Sequence, residues 1–246
     1  MSNSSRKYTA QEVAVLVQQA RKNLLDSITY ELFTPLTTIR SLAEVLQDGL
    51  VKSEPDQHLY HAKIISETQN MEQLIADLIE LSKLQNGCLS FDKKAVRAAD
   101  IFGPVFERFL MRYADTEIAL DLDQFNLQSI PFLHTEADRL VRLLNILLDN
   151  SVRLAGQNET VRVTHEISPA RVTFCIQTSA VISEINMDRL FSSLYDSDAG
   201  CIMPINRIEF AIAGQIACGL NEKLWAESSE DKGTAFYITV TFDADQ

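Results

Sequence analysis

The chain has 246 residues and a formal net charge of −12, long enough for two domains with separate cores, and its acidity excludes the clustered Lys and Arg that grip a nucleic-acid backbone. No run of ~18 apolar residues occurs, and Met1 to Lys7 leads into a polar segment instead of a signal peptide, so a soluble, cytoplasmic protein without membrane contact is expected. The four cysteines, Cys88, Cys175, Cys201 and Cys218, lack CxxC spacing; buried reduced thiols are expected in preference to a metal site or disulfides.

After a tail over residues 1–8, the first helix is expected from Thr9, with Glu12 completing a capping box, to about Gln47. Ile28, Leu32, Pro35, Ile39, Leu42 and Leu46 alternate at spacings of four and three, the seam of a left-handed bundle. Val13, Val17, Ala20 and Leu24 continue the stripe, with a break of strict phase before Ile28. On this register Tyr30 falls on the outward face together with Phe33, in a surface otherwise lined by Asp26, Thr37, Arg40 and Glu44. Pro35 removes the amide that would bond the Glu31 carbonyl, so a bend is expected beside Tyr30. Residues 49–56 read as a turn, and a second helix from about Gln57 to Gln85 carries Ile64, Thr68, Met71, Ile75 and Leu78 on one face before Asn86-Gly87 stops it. Two such helices cannot cover both stripes alone, which favours a homodimeric four-helix bundle built from residues 9–87.

The stretch Ser27-Ile28-Thr29-Tyr30-Glu31-Leu32-Phe33-Thr34-Pro35-Leu36 resembles the H-E-L-R-T-P-L phosphoacceptor box of bacterial sensor histidine kinases. Glu31, Thr34, Pro35 and Leu36 match that box, Tyr30 stands where the acceptor histidine belongs, and Phe33 replaces the usual basic residue. The resemblance implies an α+β protein: a helical hairpin, a linker over residues 88–99, and an α/β sandwich of the histidine kinase, Hsp90 and gyrase ATPase type over residues 100–246.

The rest of the chain fits that order. A linker strand is expected at residues 88–91, a helix at 100–112, a strand at 117–122 and an amphipathic helix at 136–155. A hairpin of residues 161–165 and 172–176 follows, then a helix near 206–218 and strands at 224–228 and 234–242. Lys223-Leu-Trp-Ala-Glu-Ser228 through Lys232-Gly-Thr-Ala-Phe236 resembles the family's terminal hairpin, and Leu190 to Asp198 its F box. In the N-box helix, Asn150 aligns with the family's magnesium ligand, although a cap or cross-link within its helix is the other reading, and Ile146 takes the place of the second asparagine. Where D-x-G-x-G should contact adenine, the chain has Gln177-Thr-Ser179-Ala-Val181, and the phosphate-cradling glycine run aligns with Arg207-Ile208-Glu209-Phe210. Independently of any alignment, 8 glycines in 246 residues is half the ~7% average, and no GxG occurs.

The resemblance therefore implies a family fold whose chemistry is lost: no ATP, magnesium or other cofactor is expected. The expected role is a pseudokinase, a dimeric scaffold or regulator in two-component signalling that binds a response-regulator receiver domain or an intact histidine kinase. Tyr30, Phe33, Thr37, Arg40 and Glu44 are the candidate docking residues. Three alternatives stay open: an atypical kinase accepting phosphate at Tyr30, a response-regulator phosphatase acting through Glu31 and Thr34, and a phosphotransfer protein with a vestigial ATP domain. His58, His61, His134 and His165 are read as ordinary side chains.

Overall fold

The computed structural model describes residues 10–87, 89–156, 159–182, 190–191 and 206–242, with side chains from residue 28 onward. Two compact units divide between Ile79 and Glu80. The first is the helical hairpin of α1 (Ala10–Gln47) and α2 (Glu54–Gln85), whose last turns belong to the second unit.

In α1 the seam residues Ile28, Leu32, Ile39, Leu42 and Leu46 are half-buried and Pro35 is buried, as the three-and-four spacing predicts. Helix α1 runs through Pro35, and the hydroxyls around it turn inward to the backbone: Thr34 donates to the Tyr30 carbonyl at 2.9 Å and Thr38 to the Thr34 carbonyl at 3.1 Å. The side chains of Val13, Val17, Ala20, Leu24 and Asp26 lie outside the described residues.

Helix α2 differs from expectation in two respects. It begins at Glu54, taking in Pro55 and Asp56, because proline costs nothing in a first turn whose amides have no helical partner; the first helical amide, that of Gln57, bonds the Ser53 carbonyl at 3.0 Å. Its covered face is Tyr60, Ile64, Glu67, Met71, Leu74 and Leu78, whereas Thr68 and Ile75 are exposed. The expected face had merged two neighbouring stripes. The second stripe, with Ile65, Ile75 and Ile79 at 59%, 48% and 52% exposure, stands open.

The second unit is an α/β sandwich. Its five-stranded sheet has the order β2-β4-β5-β7-β6, from β2 (Ala119–Asp121), β4 (Thr160–Ile167), β5 (Arg171–Thr178), β6 (Leu224–Ser229) and β7 (Gly233–Thr241), with only the β2–β4 pair parallel. Helices α3 (Ala98–Arg112), α4 (Ala137–Ala155) and α5 (Arg207–Gly219) belong to the same unit, and the core joins Phe102, Ile101, Leu143, Leu147, Ile212 and Ile216 with Val163, Phe174, Phe236 and Ile238 of the strands. Alternation makes this possible: β5 buries every second residue, Val172, Phe174, Ile176 and Thr178. The other face carries a row formed by Cys175, Tyr237 and Trp225, in which the Trp225 and Tyr237 rings stack at 4.9 Å and the Trp225 Nε1–H donates to Glu227. Burial pushes the Tyr237 hydroxyl up to about 12.

The linker corrects the sequence reading. No strand forms at the described residues 89–91; instead β1 (Lys94–Val96) pairs with β3 (Leu133–Thr135), two three-residue strands too short to show a period. Phe91 rests against Gly219, where any Cβ would collide with its ring, and Lys93 Nζ approaches the buried Glu222 at 3.6 Å. Glu222 in turn accepts from the Thr239 and Thr241 hydroxyls and the Thr241 amide, tying the α5–β6 corner to β7. Of the cysteines, Cys175 is half-buried and Cys218 exposed, against the expectation of burial, and Cys88 and Cys201 lie outside the described residues. No helix among the described residues is long and apolar enough to cross a membrane.

Candidate functional site

Two clusters carry the residues singled out from the sequence, one in each unit. On α1, Tyr30 and Phe33 are 66% and 60% exposed. They line a shallow groove with Thr34, Thr37, Thr38, Ser41 and Leu42, all within one arc of the helix. Arg40 and Glu44 are exposed and face each other at 3.8 Å, one turn apart, without joining the lining. Glu31 is half-buried, off this face, and the Thr34 hydroxyl is engaged by the backbone. The groove thus gathers Tyr30, Phe33, Thr34 and Thr37, leaves Arg40 and Glu44 beside it, and adds Thr38, Ser41 and Leu42, which the sequence reading did not single out.

The second cluster lies where α4 meets the N-terminus of α5. Asn150 is fully buried, and its Nδ2 donates to the Ile146 carbonyl and to Glu209 Oε2, both at 2.8 Å. Arg153, one turn along α4, forks onto the same carboxylate: Nη1 reaches Oε2 at 2.6 Å and Nη2 reaches Oε1 at 3.2 Å. Asn150 Oδ1 accepts from the Asn206 amide at 3.2 Å and from Arg153 at 3.3 Å. Asn206 caps α5 through the Ile208 and Glu209 amides. Burial alone would lower the Arg153 pKa, yet the hydrogen bond and charge of Glu209 hold it above the ordinary value.

Neighbouring segments follow the family order. Gln177 Nε2 donates to the Lys232 carbonyl at 2.7 Å, and Thr234 donates to the Ala180 carbonyl at 2.7 Å, so the run aligned with D-x-G-x-G is stitched to the β6–β7 turn. There Gly233, at φ +72°, sits against the Thr178 carbonyl where a Cβ has no room. Of the F box, Leu190 is buried and Phe191 packs edge-on to Phe210 and Phe236, while residues 192–198 lie outside the described residues. Arg153 was missed from sequence; a basic side chain one helical turn beyond Asn150 was the available signal.

Residues 20–87 match the model of the His Kinase A (phospho-acceptor) domain, and residues 135–244 that of the histidine kinase-, DNA gyrase B- and HSP90-like ATPase. The chain carries the two domains of a sensor histidine kinase transmitter core. Sensor protein kinase WalK of Staphylococcus aureus is 24% identical over 229 residues, covering 91% of this chain and 54% of that protein. WalK of strain JH9 shares the same identity, with 37% of its length covered, so the chain spans about half or less of the curated relatives it matches. Among solved structures, ThkA in complex with the response regulator protein TrrA superposes with a TM-score of 0.70 at 16% identity, covering 98% of this chain and 69% of that one. Histidine kinase AdeS of Acinetobacter baumannii gives 0.64 at 17% identity, covering 88% and 98%. These likenesses establish the histidine kinase fold, a helical hairpin followed by an α/β sheet domain.

Proposed function

We propose that this member of the histidine kinase family is a pseudokinase: a cytoplasmic, homodimeric scaffold or regulator in two-component signalling that docks a response-regulator receiver domain or an intact histidine kinase. The observation that carries the reading is the carboxylate of Glu209 bonded to Asn150 and Arg153, residues that the sequence resemblance aligns at or beside the family's magnesium and phosphate boxes. A second negative group brought beside it would repel, and Asn150 Nδ2 and both terminal nitrogens of Arg153 already point at this carboxylate. Tyr30 in place of the acceptor histidine supports the same reading, since a phenol lacks the imidazole nitrogen that takes the phosphate. Dimerisation is supported by the open Ile65, Ile75 and Ile79 stripe on α2. A receiver-domain partner is supported by the complex that ThkA forms with the response regulator protein TrrA. The phosphatase alternative finds less support, because the Thr34 hydroxyl is committed to the backbone.

Calorimetric titration with ATP and magnesium is expected to show no saturable binding below roughly millimolar concentration, several forfeited charged hydrogen bonds at ~1.5 to 3 kcal/mol each accounting for the loss. Incubation with ATP alone is expected to leave Tyr30 unmodified. A micromolar dissociation constant overturns the pseudokinase reading, and phosphotyrosine at Tyr30 establishes the atypical kinase instead.

A further inference from the structure

Glu209 does more than obstruct. Its side chain is 8% exposed, and both of its oxygens are occupied: Oε2 accepts from Asn150 Nδ2 and Arg153 Nη1, and Oε1 from Arg153 Nη2. Asn206 reinforces this by satisfying the first-turn amides of α5 while its own amide goes to Asn150, so α4 and α5 are joined by these neutral hydrogen bonds together with the charge-assisted ones to Glu209. Asp149, the carboxylate adjacent in sequence, adds its charge to the surroundings of Arg153 but takes its hydrogen bonds from the Arg112 guanidinium at 2.5 Å and the Tyr113 hydroxyl at 3.0 Å. Glu209 and Arg153 also lie 56 residues apart, so the pair cross-links two elements that an external anion would otherwise have to bridge.

We propose that Glu209 is a ligand in cis: its carboxylate takes the place of a bound phosphate, so that the α4–α5 joint is closed permanently and without nucleotide. The proposal rests on the pseudokinase reading and adds to it that Arg153 and Asn150, the donors that hold this internal anion, stay arranged to hold an external one. Removing the plug must then expose a site for a polyphosphate.

The test titrates inorganic pyrophosphate into the full chain by calorimetry, for wild type, Glu209→Ala and Glu209→Gln, with magnesium and ATP titrated into wild type in parallel. The expected result is no saturable binding by wild type and a gain of at least about tenfold in affinity by both variants, abolished when Arg153→Met is added. Folded variants that bind no better than wild type, or a gain that survives Arg153→Met, overturn the proposal. Should Glu209→Ala and Glu209→Gln both fail to fold, Glu209→Met with Arg153→Met removes both charges together and is expected to restore the wild-type melting temperature; failure to restore it overturns the proposal. The two readings fail separately: micromolar ATP binding by wild type defeats the pseudokinase, whereas wild type silent to ATP with no gain in the variants defeats only the plug.

Discussion

At the scale of single residues, His165 shows how much a partner's own bonds decide. Ser129 Oγ already donates to the Asn126 carbonyl at 2.8 Å, so at 3.0 Å it receives the His165 Nε2–H, which fixes the neutral tautomer with Nδ1 buried and without an acceptor. A second proton has nowhere favourable to go, and burial lowers the imidazole pKa below its ordinary 6.5. The sign follows from linkage. Above that value the ring is neutral in both states and contributes nothing to pH dependence; as pH falls below it the unfolded chain binds a proton that the folded chain resists, and stability is lost until the folded value is passed. Urea unfolding at about pH 7.5 and about pH 5.5 is expected to show a smaller drop for His165→Phe, whose ring can keep the edge contact with Phe125, than for wild type. An equal drop in both shows that carboxylates elsewhere set the acid limit. Nothing in the sequence around His165 announces this, because Ser129 is 36 residues away on a single-turn 3-10 segment, Leu127–Ser129.

At the scale of elements, the two hairpin helices separate what a periodic pattern can tell from what it cannot. The α1 seam was legible because one stripe dominates, and its register correctly put Tyr30 and Phe33 outside. In α2 two adjacent apolar stripes share the helix, and periodicity alone could not say which faces the partner helix and which is left open. The sheet's long strands were legible from alternation, whereas β1 and β3, at three residues each, were not. In the candidate site the missing glycines could be counted, but a pair of charges 56 residues apart could not be joined on paper. The open stripe gives a sharper test of dimerisation than a seam residue does. Ile75→Glu places its charge in solvent within one hairpin and in an apolar interface within a pair, so it is expected to weaken association by roughly 3 kcal/mol, about two orders of magnitude, while a monomer keeps its helicity. Sedimentation across a dilution series measures this, and an unchanged dimer shows that the stripe is not the interface.

At the scale of the molecule, the proposed docking role would use the groove lined by Tyr30 and Phe33, whose two exposed rings are the anchors it needs. Phe33→Ala is expected to weaken capture of a receiver domain by ~1 to 3 kcal/mol without altering self-association, and Tyr30→Phe to change little, since the ring supplies the contact area. Biolayer interferometry with the receiver domain immobilised measures both; capture that ignores Phe33→Ala places docking elsewhere. The stacked row on the open face of the sheet has a practical consequence. Trp225 is the chain's single tryptophan, lying ring to ring with Tyr237 and hydrogen-bonded to Glu227. Its fluorescence therefore reports one unit alone, whereas the 38 and 32 helical residues of α1 and α2 weight the far-ultraviolet ellipticity toward the other. Recorded on one sample, the two signals give each half of the molecule its own thermometer: Ile75→Glu is expected to lower the ellipticity midpoint and leave the emission midpoint in place, and a common shift of both would reveal that the halves melt as one.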